Sequence, residues 1–159
     1  MHEDQRGFFA RTFCRQEFEA RRLNPAVAQC NISFNRSKGC LRGMHFQVGP
    51  HSEVKLVRCT AGSIYDVIID LRPSSPTFKE HFGIELSARN RKMLYVPQDF
   101  AHGFQTLEDN TEVFYQMSQY YSPEYSRGVR WDDPAFGIQW PAGERIIIER
   151  DRTYPDFRS

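Results

Sequence analysis

Glycine and proline cut this sequence into short strand-like runs, and that punctuation points to a β-sandwich or barrel. "AQCNISFN" alternates, with Gln29, Asn31 and Ser33 on one face and Cys30, Ile32 and Phe34 on the other. "LRGMHFQ", residues 41–47, also reads as a strand, although it holds an arginine, a glycine and a histidine. "VKLVRCT" and "SIYDVIIDL" are separated by Ala61-Gly62, which predicts a hairpin. "KMLYVP" stops at Pro97, "TEVFYQMSQYY" stops before Pro123, and "GIQWP" and "ERIIIER" give two late runs. Aromatic residues make up 14% of the chain, with 13 Phe and 7 Tyr, which favours strands again. The one fair helix lies between Arg15 and Leu23, a stretch of good helix formers.

At 159 residues the chain suits one domain with a sizeable core, and a jelly-roll barrel is the natural choice for that length. A net charge of +1 supplies no basic footprint, so no nucleic-acid partner is expected. No apolar run reaches the roughly 20 residues of a membrane helix, and "MHEDQRGFF" lacks a signal-peptide core. A cytoplasmic location, without membrane association, is expected. Cys14, Cys30, Cys40 and Cys59 form no C-x-x-C pair and read as free thiols of a reducing compartment.

Strand faces carry the functional question. Val113, Tyr115, Met117, Gln119 and Tyr121 share one face; Lys55, Val57 and Cys59 share another; His45 and Gln47 share a third. Either the polar members face solvent, or the barrel has a partly polar lumen that holds a ligand. No histidine pair has H-x-H or H-x3-H spacing, so no metal is expected; His51 sits in a Gly-Pro turn, and His81 and His102 are expected in loops. No G-x-S-x-G elbow, catalytic-cysteine signature or Gly-rich phosphate loop is present. Proton chemistry remains. Its ingredients are His45, a carboxylate to orient it, a tyrosine donor and a cation such as Lys55, with Arg6, Arg42 and Arg58 available for phosphates.

Together "DQRGFF", "QCNISFN", "SKGCLRGMHFQ", "VKLVRCTAGSIYDVIIDLRPSSPTF", "LSARNRKMLYVPQDFAHGF", "EVFYQMSQYYSPE", "WDDP" and "GIQWP" resemble the dTDP-4-dehydrorhamnose 3,5-epimerase family. That resemblance covers nearly the whole chain. It implies an all-β, cupin-like jelly-roll barrel with short peripheral helices, a single domain over 1–159, a nucleotide-sugar substrate, no cofactor and a homodimer. The family's catalytic histidine falls on His45, its tyrosine on Tyr115 and the aspartate paired with the histidine on Asp151, with Lys55 to stabilise an enolate. Substrate contacts fall on Arg6, Gln29, Asn31, Arg42, His102, Tyr121 and Arg150. Asp66 matches a carboxylate near the site lysine, either in the site or as a buried partner of Lys55.

The chain differs from the family pattern in having Arg11 and Ser126 where glutamates are usual, and Arg150 in place of a lysine. It also begins close to "RGFF", without the upstream strand that contributes to dimer pairing in most members. The resemblance implies epimerisation at C3, C5 or both carbons of a nucleotide-linked 4-keto-6-deoxyhexose. A non-catalytic sugar-nucleotide-binding cupin and a keto-sugar isomerase on the same fold are the alternatives.

Overall fold

The computed structural model describes residues 2–158. An antiparallel arm, β1 (His2–Asp4) with β2 (Gly7–Phe9), precedes helix α1 (Arg15–Ala20). There follow β3 (Gln29–Asn35), β4 (Leu41–Gln47), β5 (Lys55–Ala61), β6 (Ser63–Asp70) and β7 (His81–Ser87). The chain continues through β8 (Met93–Val96), β9 (Phe100–Thr106), β10 (Thr111–Met117), β11 (Ser126–Gly128) and helix α2 (Glu149–Arg152). One sheet runs β3-β10-β5-β8 and the other β11-β4-β9-β6-β7, with antiparallel neighbours throughout. Most consecutive strands lie in opposite sheets, which makes the sandwich a cupin-like jelly roll. Among the described residues no helix is long and apolar enough to cross a membrane.

Several local expectations need correction. Ala61-Gly62 is not a hairpin: β5 and β6 belong to different sheets, and Gly62 (φ +72°) turns the corner between them against Thr111. The helix expected to Leu23 stops at Ala20. Arg22 adopts φ +58°, and the Arg22 and Leu23 amides bond back to Glu19 and Phe18 in a Schellman-type end. His81 and His102 lie in β7 and β9, not in loops. Gly83 and Gly103 serve close packing inside those strands; a Cβ on Gly103 would sit 2.6 Å from Met44 Sδ.

The strand expected to run to Tyr121 ends at Met117, where Ser118 Oγ accepts the Val54 amide. "GIQWP" and "ERIIIER" form no strand beyond one bridge between Ile146 and Cys40. The C-terminal stretch contributes side chains instead of ladder bonds. Val129, Phe136, Ile138, Trp140 and Phe157 cover the outer face of the five-stranded sheet at Met44, Val67, Ile69 and Ala101.

A second apolar core lies between the sheets, built from Val57, Cys59, Ile64, Ile68, Leu86, Val96, Phe104 and Val113. Burial there pushes the Cys59 thiol up to about 11, so it stays protonated. Facing β3 is the reverse of an ordinary surface strand. Gln29, Asn31, Ser33 and Asn35 point inward, while Cys30, Ile32 and Phe34 are exposed. With Lys55, Tyr115 and Met117 also turned inward, one end of the sandwich is too polar to close as core and opens as a cavity.

Candidate active site

The cavity has two adjoining lobes of about 310 and 220 Å³, which share His45, Lys55, Tyr115 and Arg150 as walls. Its key position is set by a bulge. Arg42 opposes Phe104 and His45 opposes His102, so β4 spends three residues where β9 spends two. Simple alternation would send Arg42 and His45 to opposite faces; the extra residue brings both onto the cavity. Glycine is required at the bulge: Gly43 has φ +141°, and a Cβ there would lie 2.5 Å from Gly103 Cα.

His45 Nε2 lies 2.7 Å from Asp151 Oδ1. Asp151, from α2, is 1% exposed, and its Oδ2 accepts the Gly43 amide at 3.2 Å. Burial pushes the Asp151 carboxyl up. The hydrogen bond and charge of His45, the Gly43 amide and Arg150 outweigh that and hold it below the ordinary 3.8. The ionised carboxylate therefore accepts Nε2–H and leaves Nδ1 of His45 as the free acceptor. Arg150 closes over the pair, with Nη2 3.1 Å from His45 Nε2 and Nε 3.3 Å from Asp151 Oδ1.

Tyr115 comes from the facing sheet. Burial raises its phenol above the ordinary value, against the opposing charge of Arg42, so it is protonated at neutral pH. Lys55 is buried, and Nζ donates to Glu53 Oε1 at 3.0 Å and to the His45 carbonyl at 3.2 Å. An ammonium has three N–H donors, so one remains for the cavity.

Asp66 does not pair with Lys55. It is fully buried behind the wall, and its Oδ1 lies 2.7 Å from His102 Nε2. Lys55 takes Glu53 as its carboxylate instead. Arg42 Nε is held by Asn35 Oδ1 at 2.8 Å. Gln29 Oε1 accepts the Tyr121 amide at 3.0 Å, and Asn31 Nδ2 reaches the Met117 sulfur at 3.5 Å. Tyr121 is half exposed on the cavity rim. Arg6 is not brought to this cavity within its own chain; it is exposed on the β1–β2 arm and paired with Asp4 at 2.7 Å. Arg11 likewise pairs on the surface with Glu17, while Ser126 lines the cavity.

Sequence reasoning missed Glu53, Phe104, which lines the smaller lobe, and Tyr154, whose ring meets His45 edge to face. Glu53 had a signal, because it stands two residues before Lys55 and shares its face. Tyr154 had none. Among the described residues no three His, Cys, Asp or Glu side chains gather closely enough to hold a metal ion.

A polar-ended jelly roll with a histidine and a phenol on facing walls is the framework of the cupin-like isomerases that move protons at carbon. Within that class the chain belongs to the dTDP-4-dehydrorhamnose 3,5-epimerase family, whose model matches residues 1–159. The dTDP-4-dehydrorhamnose 3,5-epimerase of Sinorhizobium fredii is 41% identical over 155 residues, 97% of this chain and 80% of that protein. The crystal structure of the Bacillus anthracis enzyme of that name, with TDP and PPi bound, gives a TM-score of 0.94 at 41% identity. That match covers 98% of this chain and 89% of the other. The Legionella pneumophila dTDP-6-deoxy-D-glucose-3,5-epimerase in complex with dTDP-4-keto-L-rhamnose gives 0.88 at 36% identity, covering 94% and 80%.

Proposed function

We propose that residues 1–159 act as one epimerase domain that inverts C3 and C5 of dTDP-4-dehydro-6-deoxyglucose. The observation that carries this reading is the His45–Asp151 pair set across the cavity from protonated Tyr115. The 4-keto group acidifies the hydrogens at C3 and C5. Neutral His45 takes one through Nδ1, and the C–H electron pair moves into the enolate with its charge on O4. Lys55 donates its remaining N–H to O4. Tyr115 returns a proton to carbon from the opposite face, and the phenolate and imidazolium then reset by proton exchange with solvent. The carbonyl is the electron sink, so the reaction needs no cofactor.

Arg42, His102 and Arg150 hold the substrate beside the base, Gln29 and Asn31 offer amides to its polar groups, and Tyr121 stacks on the nucleotide base. Asp66 orients His102. We assign a homodimer on the exposed apolar face of β3, an edge strand, with Arg6 on the arm available to a second copy. A cytoplasmic setting suits the four free cysteines.

Incubation with dTDP-4-dehydro-6-deoxyglucose in D2O tests the reaction. NMR is expected to show deuterium at C3 and C5 together with the inverted product, and His45→Asn is expected to lose both. Nucleotide binding without exchange would identify a sugar-nucleotide-binding cupin; a moved keto group would identify an isomerase of another kind.

A further inference from the structure

We propose that Tyr154 is the positioning residue of the His45–Asp151 pair: its ring docks α2 into a slot that Gly128 leaves open beside His45. The inference rests on the reading of His45 as the base.

The carboxylate of the pair is carried by a weak element. Helix α2 spans four residues, has no side-chain cap at its N-terminus, and buries only Asp151. A single helical turn does not persist on its own, because nucleation costs more than so few bonds return. What holds Asp151 in place must therefore lie largely outside the helix. Tyr154 follows two residues after its end.

The Tyr154 ring lies directly over Gly128, where any added Cβ would strike Cζ and Cε2 and come within 2.6 Å of Oη. Gly128 is the register partner of His45 between β11 and β4. The ring thus takes the place that a side chain at position 128 would fill, next to the base. Its centroid lies 6.4 Å from that of His45 at an interplanar angle of 69°, an edge-to-face contact. The contact is a packing one: among the described residues the hydroxyl has no hydrogen-bond partner, and burial, against the charge of Arg150, keeps the phenol neutral at pH 7. One ring therefore pins the chain just after Asp151 and braces the imidazole that Asp151 orients.

The test compares Tyr154→Phe, Tyr154→Ala, Gly128→Ala and His45→Asn. Each is assayed for kcat and KM, for thymidine diphosphate affinity, for thermal melting, and for the downfield proton resonance of the His45 Nε2–H. Tyr154→Ala is expected to lower kcat by about 10- to 100-fold, the scale of a small misplacement of a catalytic group, and to lose the downfield resonance. Thymidine diphosphate affinity should change by less than about threefold, far short of that kcat loss. Gly128→Ala, which displaces the ring, should do the same, and Tyr154→Phe should retain most of the activity and the resonance. Where Tyr154→Ala melts below the assay temperature, Tyr154→Leu replaces it. Wild-type kcat in the truncated variant overturns the inference, as does a Tyr154→Phe loss equal to that of Tyr154→Ala. If His45→Asn itself keeps exchange at C3 and C5, the underlying assignment of the base fails instead.

Discussion

In the proposed reaction Asp151 decides which nitrogen of His45 acts as the base, so its replacement separates tautomer control from simple charge. Asparagine at 151 can present its amide N–H to Nε2, which drives the ring proton to Nδ1, the wrong nitrogen for abstraction. Asp151→Asn should lower kcat by about 10²-fold or more while leaving thymidine diphosphate binding within a few-fold of wild type. Unchanged kcat would remove Asp151 from the mechanism. Lys55 gives a second residue-scale prediction. Its partner Glu53 is 6% exposed, and removing one member of a buried ion pair leaves an uncompensated charge. Glu53→Ala should cost about 3 kcal/mol in denaturant unfolding and reduce kcat, because Lys55 loses one of the two acceptors that aim its third donor. Stability within about 0.5 kcal/mol of wild type would show that the pair is worth no more than a surface bridge.

At the level of elements, the connection after β6 shows how a polar knot holds two strands in register. Asp70 is 1% exposed and accepts from Arg72 Nε (2.8 Å), Arg72 Nη2 (2.6 Å), the Arg72 amide, Ser75 Oγ and Thr77 Oγ1. The Arg72 hydrogen bonds, against the cost of burial, hold this carboxyl far below its ordinary 3.8. A depressed folded-state value contributes stability that is present above 3.8 and is lost as pH falls through the folded value. Asp70→Asn should therefore cost about 2 kcal/mol at pH 7, and the gap to wild type should narrow as the pH is lowered below 4. Thermal melts from pH 2 to 7 measure it; a gap that does not vary with pH would refute the electrostatic origin.

The same scale explains what could be read in advance. β3, β5 and β10 were legible, because period-two alternation survives in them. β7 and β9 were not, because each carries a glycine, Gly83 or Gly103, whose use for close packing shows only once its neighbours are seen. Alternation also misplaces Arg42 relative to His45, since a bulge is invisible to a pattern of period two. The motif resemblance singled out His45, Tyr115 and Asp151. Glu53, outside its motifs, and Tyr154, which lies in the late segment that gives Asp151 but carries no role there, needed coordinates.

For the whole molecule, the orientation of β3 links the cavity to assembly. Strand alternation forces a choice: if Gln29, Asn31 and Ser33 face the cavity, then Cys30, Ile32 and Phe34 must face out. Ile32 is 63% and Phe34 52% exposed, side by side on an edge strand, and Phe9 on the arm is 74% exposed. An apolar edge of this kind invites pairing with another chain unless it is covered. A second copy is the occupant in the proposed homodimer, and burial of such side chains stabilises an interface by about 1.5–3 kcal/mol each. Neither residue points into the cavity, so charge placed there tests assembly without touching the proposed base or acid. The double variant Ile32→Glu, Phe34→Glu should sediment as a monomer while the wild type sediments as a dimer. If Arg6 of a second copy reaches the cavity, the monomer should also show a raised KM for the nucleotide sugar, and Arg6→Ala alone should raise KM without changing the sedimentation coefficient. A double variant that remains dimeric would place the interface elsewhere. One that is monomeric with wild-type KM would keep the interface and remove Arg6 from the site.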